Sequence, residues 1–171
     1  MSEFSGTGDV SAQGLLTASQ ILTRPAEEFG NDSTVEALWA MKAFDHAAVY
    51  FNLLCSIDPK NLKLTKHDDK IYSDFRDLFP TFDIALLNED EMKSSEGKEK
   101  WRPFCDSFKD ILEDFNVGTL LRVDCTKDYS EENSCIVPRV QFWAIEIARN
   151  REGYNDKLRS TFKPQPRVKR S

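Results

Sequence analysis

Near the C-terminal end of the chain, "PRVQFWAIEIARNREGYN" sets Arg149, Asn150, Arg151 and Tyr154 directly after a run of mostly apolar residues. Two guanidinium groups and an amide so close together could grip a phosphate or a carboxylate, because arginine presents a planar fork of donors to such groups. The same residues could equally finish a helix. Cations complement the exposed carbonyls of a last turn, and Gly153 can take a left-handed cap. Elsewhere, groups suited to catalysis are sparse. The histidines are His46 and His67. His46 lies beside Asp45 with Tyr50 one turn on, which suits a packed histidine or a general base. His67 precedes Asp68 and Asp69, which suits a helix start or a metal ligand. Cys55, Cys105, Cys125 and Cys135 are dispersed, with no C-x-x-C and no histidine partner, so reduced structural thiols are expected and no metal. The seven glycines build neither a dinucleotide fingerprint nor a P-loop, and no serine sits in a G-x-S-x-G elbow. These residues imply no cofactor and no catalytic residue. In "KWRPF", Lys100, Trp101 and Arg102 could anchor a protein partner, since Trp and Arg are enriched at interface hot spots. Alternatively Trp101 closes the core and Arg102 pairs with an acid.

The elements that must position these groups read as mostly helical. Residues 11–22 have Leu15, Ile21 and Leu22 at loosely helical spacing, and Pro25 follows. Ser33-Thr34-Val35-Glu36 has capping-box spacing. Val35, Leu38, Met41, Phe44, Ala48, Phe51 and Leu54/Cys55 then recur at helical steps, predicting a long amphipathic helix that stops before Asp58-Pro59. A second helix is expected over 66–79, with Asp68 and Asp69 in its first turn and Ile71, Tyr72, Phe75, Leu78 and Phe79 on its core face. "NEDEMKSSEGKEK" reads as a charged helix or helix–loop with little to bury. Pro103 suits the first position of a further helix carrying Phe104, Phe108, Ile111, Leu112 and Phe115, with Gly118 as its stop. "TLLRVDC" and "CIVP" could pair across a polar loop. The last helix spans 137–151, apolar around most of its circumference. Arg139, Glu146, Arg149 and Asn150 share one strip by which it would reach solvent, Glu146 pairing with Arg149 and bonding to Asn150. The expected fold is all-α, a single-domain orthogonal helical bundle, with one short β-hairpin near 119–137 left open. Residues 1–10 form a disordered lead, 11–155 the helical domain and 156–171 a basic flexible tail.

Charge is unevenly spread. The whole chain carries −6 and the segment 156–171 carries +5, leaving −11 on residues 1–155. Such an acidic body repels nucleic acid and suits a basic protein partner, whereas the basic tail could touch RNA phosphate or simply solubilise the chain. No apolar run approaches membrane-spanning length, and the first residues lack the pattern of a secretory leader.

The motifs "FGNDSTVEALWAMKAFDHAAVYFNLL", "IDPKNLKLTKHDDKIYSDFRDLFP", "KEKWRPFC", "EDFNVGTLLRVDC", "YSEENS" and "PRVQFWAIEIARNREGYN" follow one another over about residues 25–155. Together they resemble the polysaccharide biosynthesis domain-containing protein 1 family, a small eukaryotic family. That resemblance implies a compact helical domain in the cytoplasm; a monomer is expected, with no cofactor. It further implies a dedicated, non-enzymatic chaperone for the nascent GTPase domain of translation elongation factor 1A. The surface-capable polar residues of the matched motifs become candidate partner-binding positions: Lys100, Trp101, Arg102, Asp114, Asn116, Arg122, Arg149, Asn150, Arg151 and Tyr154. Two other readings stand beside this one. The family name suggests a sugar- or methyl-transfer enzyme, and the basic tail suggests an adaptor at the ribosome or on RNA.

Overall fold

The computed structural model describes residues 31–164, with side chains from residue 35. The expectations for the N-terminal lead, the helix over 11–22 and residues 165–171 lie outside that range. So do the side chains of the Ser33–Thr34 cap.

Helix α1 (Asn31–Ser56) starts two residues before the expected cap; its expected core residues Phe51, Leu54 and Cys55 are buried, but its first half buries a different face from the one its spacing suggests. Its inner face is Ala37, Ala40, Ala43 and Ala47, continued by Tyr50, Phe51, Leu54 and Cys55. Val35, Leu38, Met41 and Phe44 point outward, Val35 being 63% exposed, and Ala48 is exposed too. The cause is a close neighbour: Leu120 of the hairpin packs on the alanine row. Small side chains there let the strand approach, and the Trp39 indole N–H donates to the Gly118 carbonyl at 2.9 Å. Both faces of α1 are apolar, so periodicity alone could not choose between them.

A 3-10 turn (Pro59–Asn61), capped by the Asp58 carboxylate, leads towards α2 (Asp68–Leu78). Ile71 and Phe75 are its buried core residues, while Leu78 is 55% exposed. Asp68 does more than complement the helix dipole. It is buried, and its carboxylate accepts from the Leu64 and Thr65 N–H groups at 2.8 and 2.7 Å and from the Thr65 hydroxyl at 2.9 Å. The chain ahead of α2 is thereby tied to its first turn.

The charged stretch that follows is two helices, α3 (Glu89–Met92) and α4 (Ser95–Asp106), and it buries Met92. Asn88 and Ser94 cap them. A Cβ on Gly97 would lie 2.2 Å from the Glu91 carbonyl oxygen, so this corner admits only glycine. Because Ser94 starts α4 early, Pro103 falls inside that helix rather than at the head of a new one. Beyond Asp106 the expected helical stripe is a chain of tight turns, Ile111 N–H bonding Phe108 O at 3.0 Å and Val117 N–H bonding Asp114 O at 3.3 Å. Phe104 at the end of α4 and Phe108 and Leu112 in these turns still point inward, leaving Ile111 exposed.

The hairpin forms. Strands β1 (Gly118–Arg122) and β2 (Ser134–Pro138) pair antiparallel, Gly118 opposite Pro138 and Arg122 opposite Ser134. Asn133 closes the loop between them, its amide donating to the Asp124 and Asp128 carbonyls at 3.1 and 3.0 Å. Helix α5 (Arg139–Glu152) then runs through the middle of the molecule against α2, both strands and the 3-10 turn. Helix α6 (Leu158–Thr161) returns to α1. Leu158 is buried and Phe162 packs edge-on to Phe51 at 5.3 Å, so residues 156–162, expected as tail, belong to the folded body. The result is a mostly helical single domain with one hairpin. No helix among the described residues is long and apolar enough to cross a membrane.

Gly153 ends α5 in the left-handed region, φ 90°, and its cap N–H bonds to Arg149 O. A Cβ there would meet nothing closer than 3.4 Å, so backbone conformation rather than crowding demands glycine. Gly153→Ala should cost about 1–2 kcal/mol, read as a shift of the urea midpoint without a change of slope.

Candidate functional site

Beyond the half-buried Arg139, the polar strip of α5 does not face solvent. Glu146, Arg149 and Asn150 are buried, covered by Arg122 from β1, Tyr50 from α1 and Asn155 from the turn beyond the helix. Glu146 lies at the centre. Its Oε1 accepts from the Tyr50 hydroxyl at 2.8 Å, Arg122 at 3.1 Å and the Asn155 amide at 3.1 Å. Its Oε2 accepts from Arg149 at 2.7 Å and Arg122 at 3.3 Å.

The two guanidiniums reach outward from this carboxylate to backbone carbonyls. Arg149 donates to Ile84 O at 2.6 Å and Val123 O at 3.2 Å, and Arg122 donates to Cys125 O at 2.7 Å. Arg122 also donates to Asn155 at 2.9 Å and lies over the Phe51 ring, 5.7 Å from its centroid. Asn150 bonds to Tyr50 and Asn155, at 3.3 and 2.7 Å, rather than to Glu146 as its spacing suggests. Loops, hairpin and two helices are thus tied through one carboxylate.

Burial by itself would raise the Glu146 pKa, but Arg122, Arg149 and the hydrogen bonds win and hold it at about 2. The Tyr50 hydroxyl is pushed the other way, by burial first and then by the Glu146 charge. A carboxylate with about four lone-pair sites already filled by five donor contacts has none left for a substrate proton. What the cluster can do chemically is hold elements together. Arg122, Arg149 and Asn150 therefore have no surface to offer a partner, and both arginines are fully inaccessible.

The other candidate residues separate into three places. Trp101 belongs to an aromatic cluster in the core, stacked on Phe79 at 4.4 Å and Phe75 at 5.5 Å with Phe82 and Phe104 edge-on. Its neighbours Lys100 and Arg102 are exposed on α4. Asp114 and Asn116 are exposed in the turns before β1. Arg151 pairs with Asp69 at 2.6 Å and lies over the Tyr72 ring at 5.3 Å, and Tyr154 beyond it is 45% exposed. Next to them Arg76 and Glu152 form a two-point pair at 2.8 and 2.9 Å.

Sequence reasoning overlooked Tyr50 and Asn155 as partners in the buried cluster and kept Glu146 at the surface. A lone acid in a nearly apolar helix was the available signal. Nothing local marks Asn155. His46 packs edge-on to Phe142 at 5.4 Å, and burial, then the Arg139 charge, lowers its pKa. Cys55, Cys105 and Cys125 are free thiols, and burial, then Asp106, pushes Cys105 up to about 11.

A small helical domain with a hairpin laid across its longest helix, locked by a buried Arg–Glu–Arg cluster, is the class of protein these features define. The family profile described as PBDC1 protein matches residues 35–160. This chain belongs to the PBDC1 family. It is 55% identical over 155 residues to the Homo sapiens protein named Protein PBDC1, covering 91% of this chain and 66% of that protein. The chain thus spans just under two thirds of that relative's length. A Schizosaccharomyces pombe homologue is 45% identical over 135 residues, 77% of this chain and 92% of the homologue. A solution NMR structure of a Saccharomyces cerevisiae protein superposes with a TM-score of 0.71 at 41% identity, over 81% of this chain and 97% of the other.

Proposed function

We propose that this protein is a non-enzymatic, ATP-independent chaperone of the cytoplasm. It binds the nascent GTPase domain of translation elongation factor 1A as a monomer and holds that domain until it folds and takes up nucleotide. The observation that carries this reading is the charge of the chain ahead of its basic end, −11 over residues 1–155. Elongation factor 1A is basic, and complementary charge speeds encounter and rejects wrong partners. The locked core supports the same reading. A body tied at its centre by Glu146 offers a fixed surface, so release follows from closure of the client around its nucleotide.

Mixing the purified protein with the GTPase domain should give a one-to-one complex whose affinity falls as salt rises and falls again when GTP is bound. Size-exclusion chromatography with light scattering reads this directly. Absence of a complex in every nucleotide state, together with normal solubility of the factor in depleted cells, would sink the reading.

A further inference from the structure

Between the C-terminal end of α2 and the α3–α4 corner lies a groove of about 740 Å³. Its floor is the aromatic cluster, Phe79, Phe82 and Trp101, and Leu78 and Leu86 stand on its wall. Those leucines are 55% and 59% exposed, a large apolar surface for a folded protein to leave in water at one place. The rim is acidic. Asp83, Glu91, Glu96 and Glu99 line it, against the single cation Lys100. Asp83 is spent on the Ala85 and Leu86 N–H groups, at 2.9 and 3.3 Å. Glu91, Glu96 and Glu99 make no ion pair with any described residue.

We propose that this groove is the docking surface for a basic segment of the protein client, one that places a large apolar side chain on the Leu78–Leu86 wall and lysine or arginine against Glu91, Glu96 and Glu99. The inference deepens the chaperone reading and rests on it. The volume sets the occupant's size. It lies within the roughly 300–1,000 Å³ typical of small-ligand sites, so it admits a few side chains rather than a folded element. A helix about 10 Å across would fill it in about two turns. The charge sets the sign. Three unpaired carboxylates repel a phosphate backbone or an anionic lipid surface and attract a cation that brings an apolar stem with it. Gly97 makes the tight α3–α4 corner beside the groove, and Trp101 and Phe79 stack at 4.4 Å in its floor.

Isothermal titration calorimetry of the full chain with the GTPase domain of elongation factor 1A tests the groove. Leu86→Arg should weaken binding about tenfold or more. The pair Glu91→Lys with Glu96→Lys should weaken it similarly and flatten its salt dependence. All three variants, the control pair included, must keep wild-type melting temperatures. The control pair, Glu131→Lys with Glu132→Lys in the exposed hairpin loop, makes the same change of net charge and should leave affinity within about twofold. If wild type forms no complex, the chaperone reading fails and this inference with it. If wild type binds and both groove variants bind equally well, only the groove assignment is overturned. It is likewise overturned if the control pair loses as much affinity as the groove pair, which would make net charge the whole effect. Truncation after Pro164 that raises affinity about tenfold would give the groove to the chain's own basic tail instead.

Discussion

Glu146→Gln should remove about 3–5 kcal/mol of stability at neutral pH, because it leaves the Arg122 and Arg149 guanidiniums buried without a counter-charge. For a domain of this size that is a fall of roughly 6–20 °C in Tm, measurable by circular dichroism. The substitution keeps shape and one acceptor oxygen, so the loss reports charge rather than a cavity. The acid limb of the wild type carries the same information. The Glu146 pKa falls from 4.5 in the unfolded chain to about 2 in the folded one. A depressed carboxylate stabilises the fold fully above its unfolded pKa and loses that contribution as pH falls through its folded pKa. Wild-type stability should therefore drop between pH 4.5 and about 2, and Glu146→Gln should lack that part of the drop. Adding Arg149→Met to Glu146→Gln should cost less than the two changes summed, since the second removes one of the orphaned charges. A Glu146→Gln protein that melts within a degree or two of wild type would show that the carboxylate is not the centre of the fold.

Trp101→Ala should cost about 3–5 kcal/mol, the usual range for emptying an aromatic core position. Trp101 is 5% exposed and touches four rings, and stacked or edge-on aromatic pairs add about 0.5–1.5 kcal/mol each beyond burial alone. Near-UV circular dichroism should lose its aromatic signal at temperatures where the far-UV signal persists. Trp101→Phe should recover most of the loss, because a phenyl ring can keep the stack on Phe79. A Trp101 that acted only as an interface anchor would leave the melting curve of the free protein untouched. The same residue forms the groove floor, so a binding defect in Trp101→Ala is meaningful only below its melting transition.

How far the chain could be read depended on what each residue signals locally. The cap at Gly153, the acids at the head of α2 and the Glu146–Arg149 pair are contacts within one turn of backbone, and all three are present. Pro103 misled because a proline that opens helices can also sit inside one when a cap, here Ser94, has already started it. The face of α1 misled for a different reason. Alanine carries little hydrophobic signal, yet the alanine row is what lets the hairpin approach, while Leu38, Met41 and Phe44 remain outside.

The sequence by itself determined the family, the order of the helices α1, α2 and α5, and the contrast between an acidic body and a basic end. Each of these lies in residue order or in spacing along one element. Only the tertiary structure decided that Arg122, Arg149 and Asn150 are interior, and that Trp101 is a floor with Lys100 at its edge. Those outcomes depend on residues far apart in the chain: Tyr50 meets Glu146 across 96 positions and Arg149 meets Ile84 across 65. An arginine written beside surface residues is drawn inside when a distant fold supplies a carboxylate and carbonyls enough to replace its water.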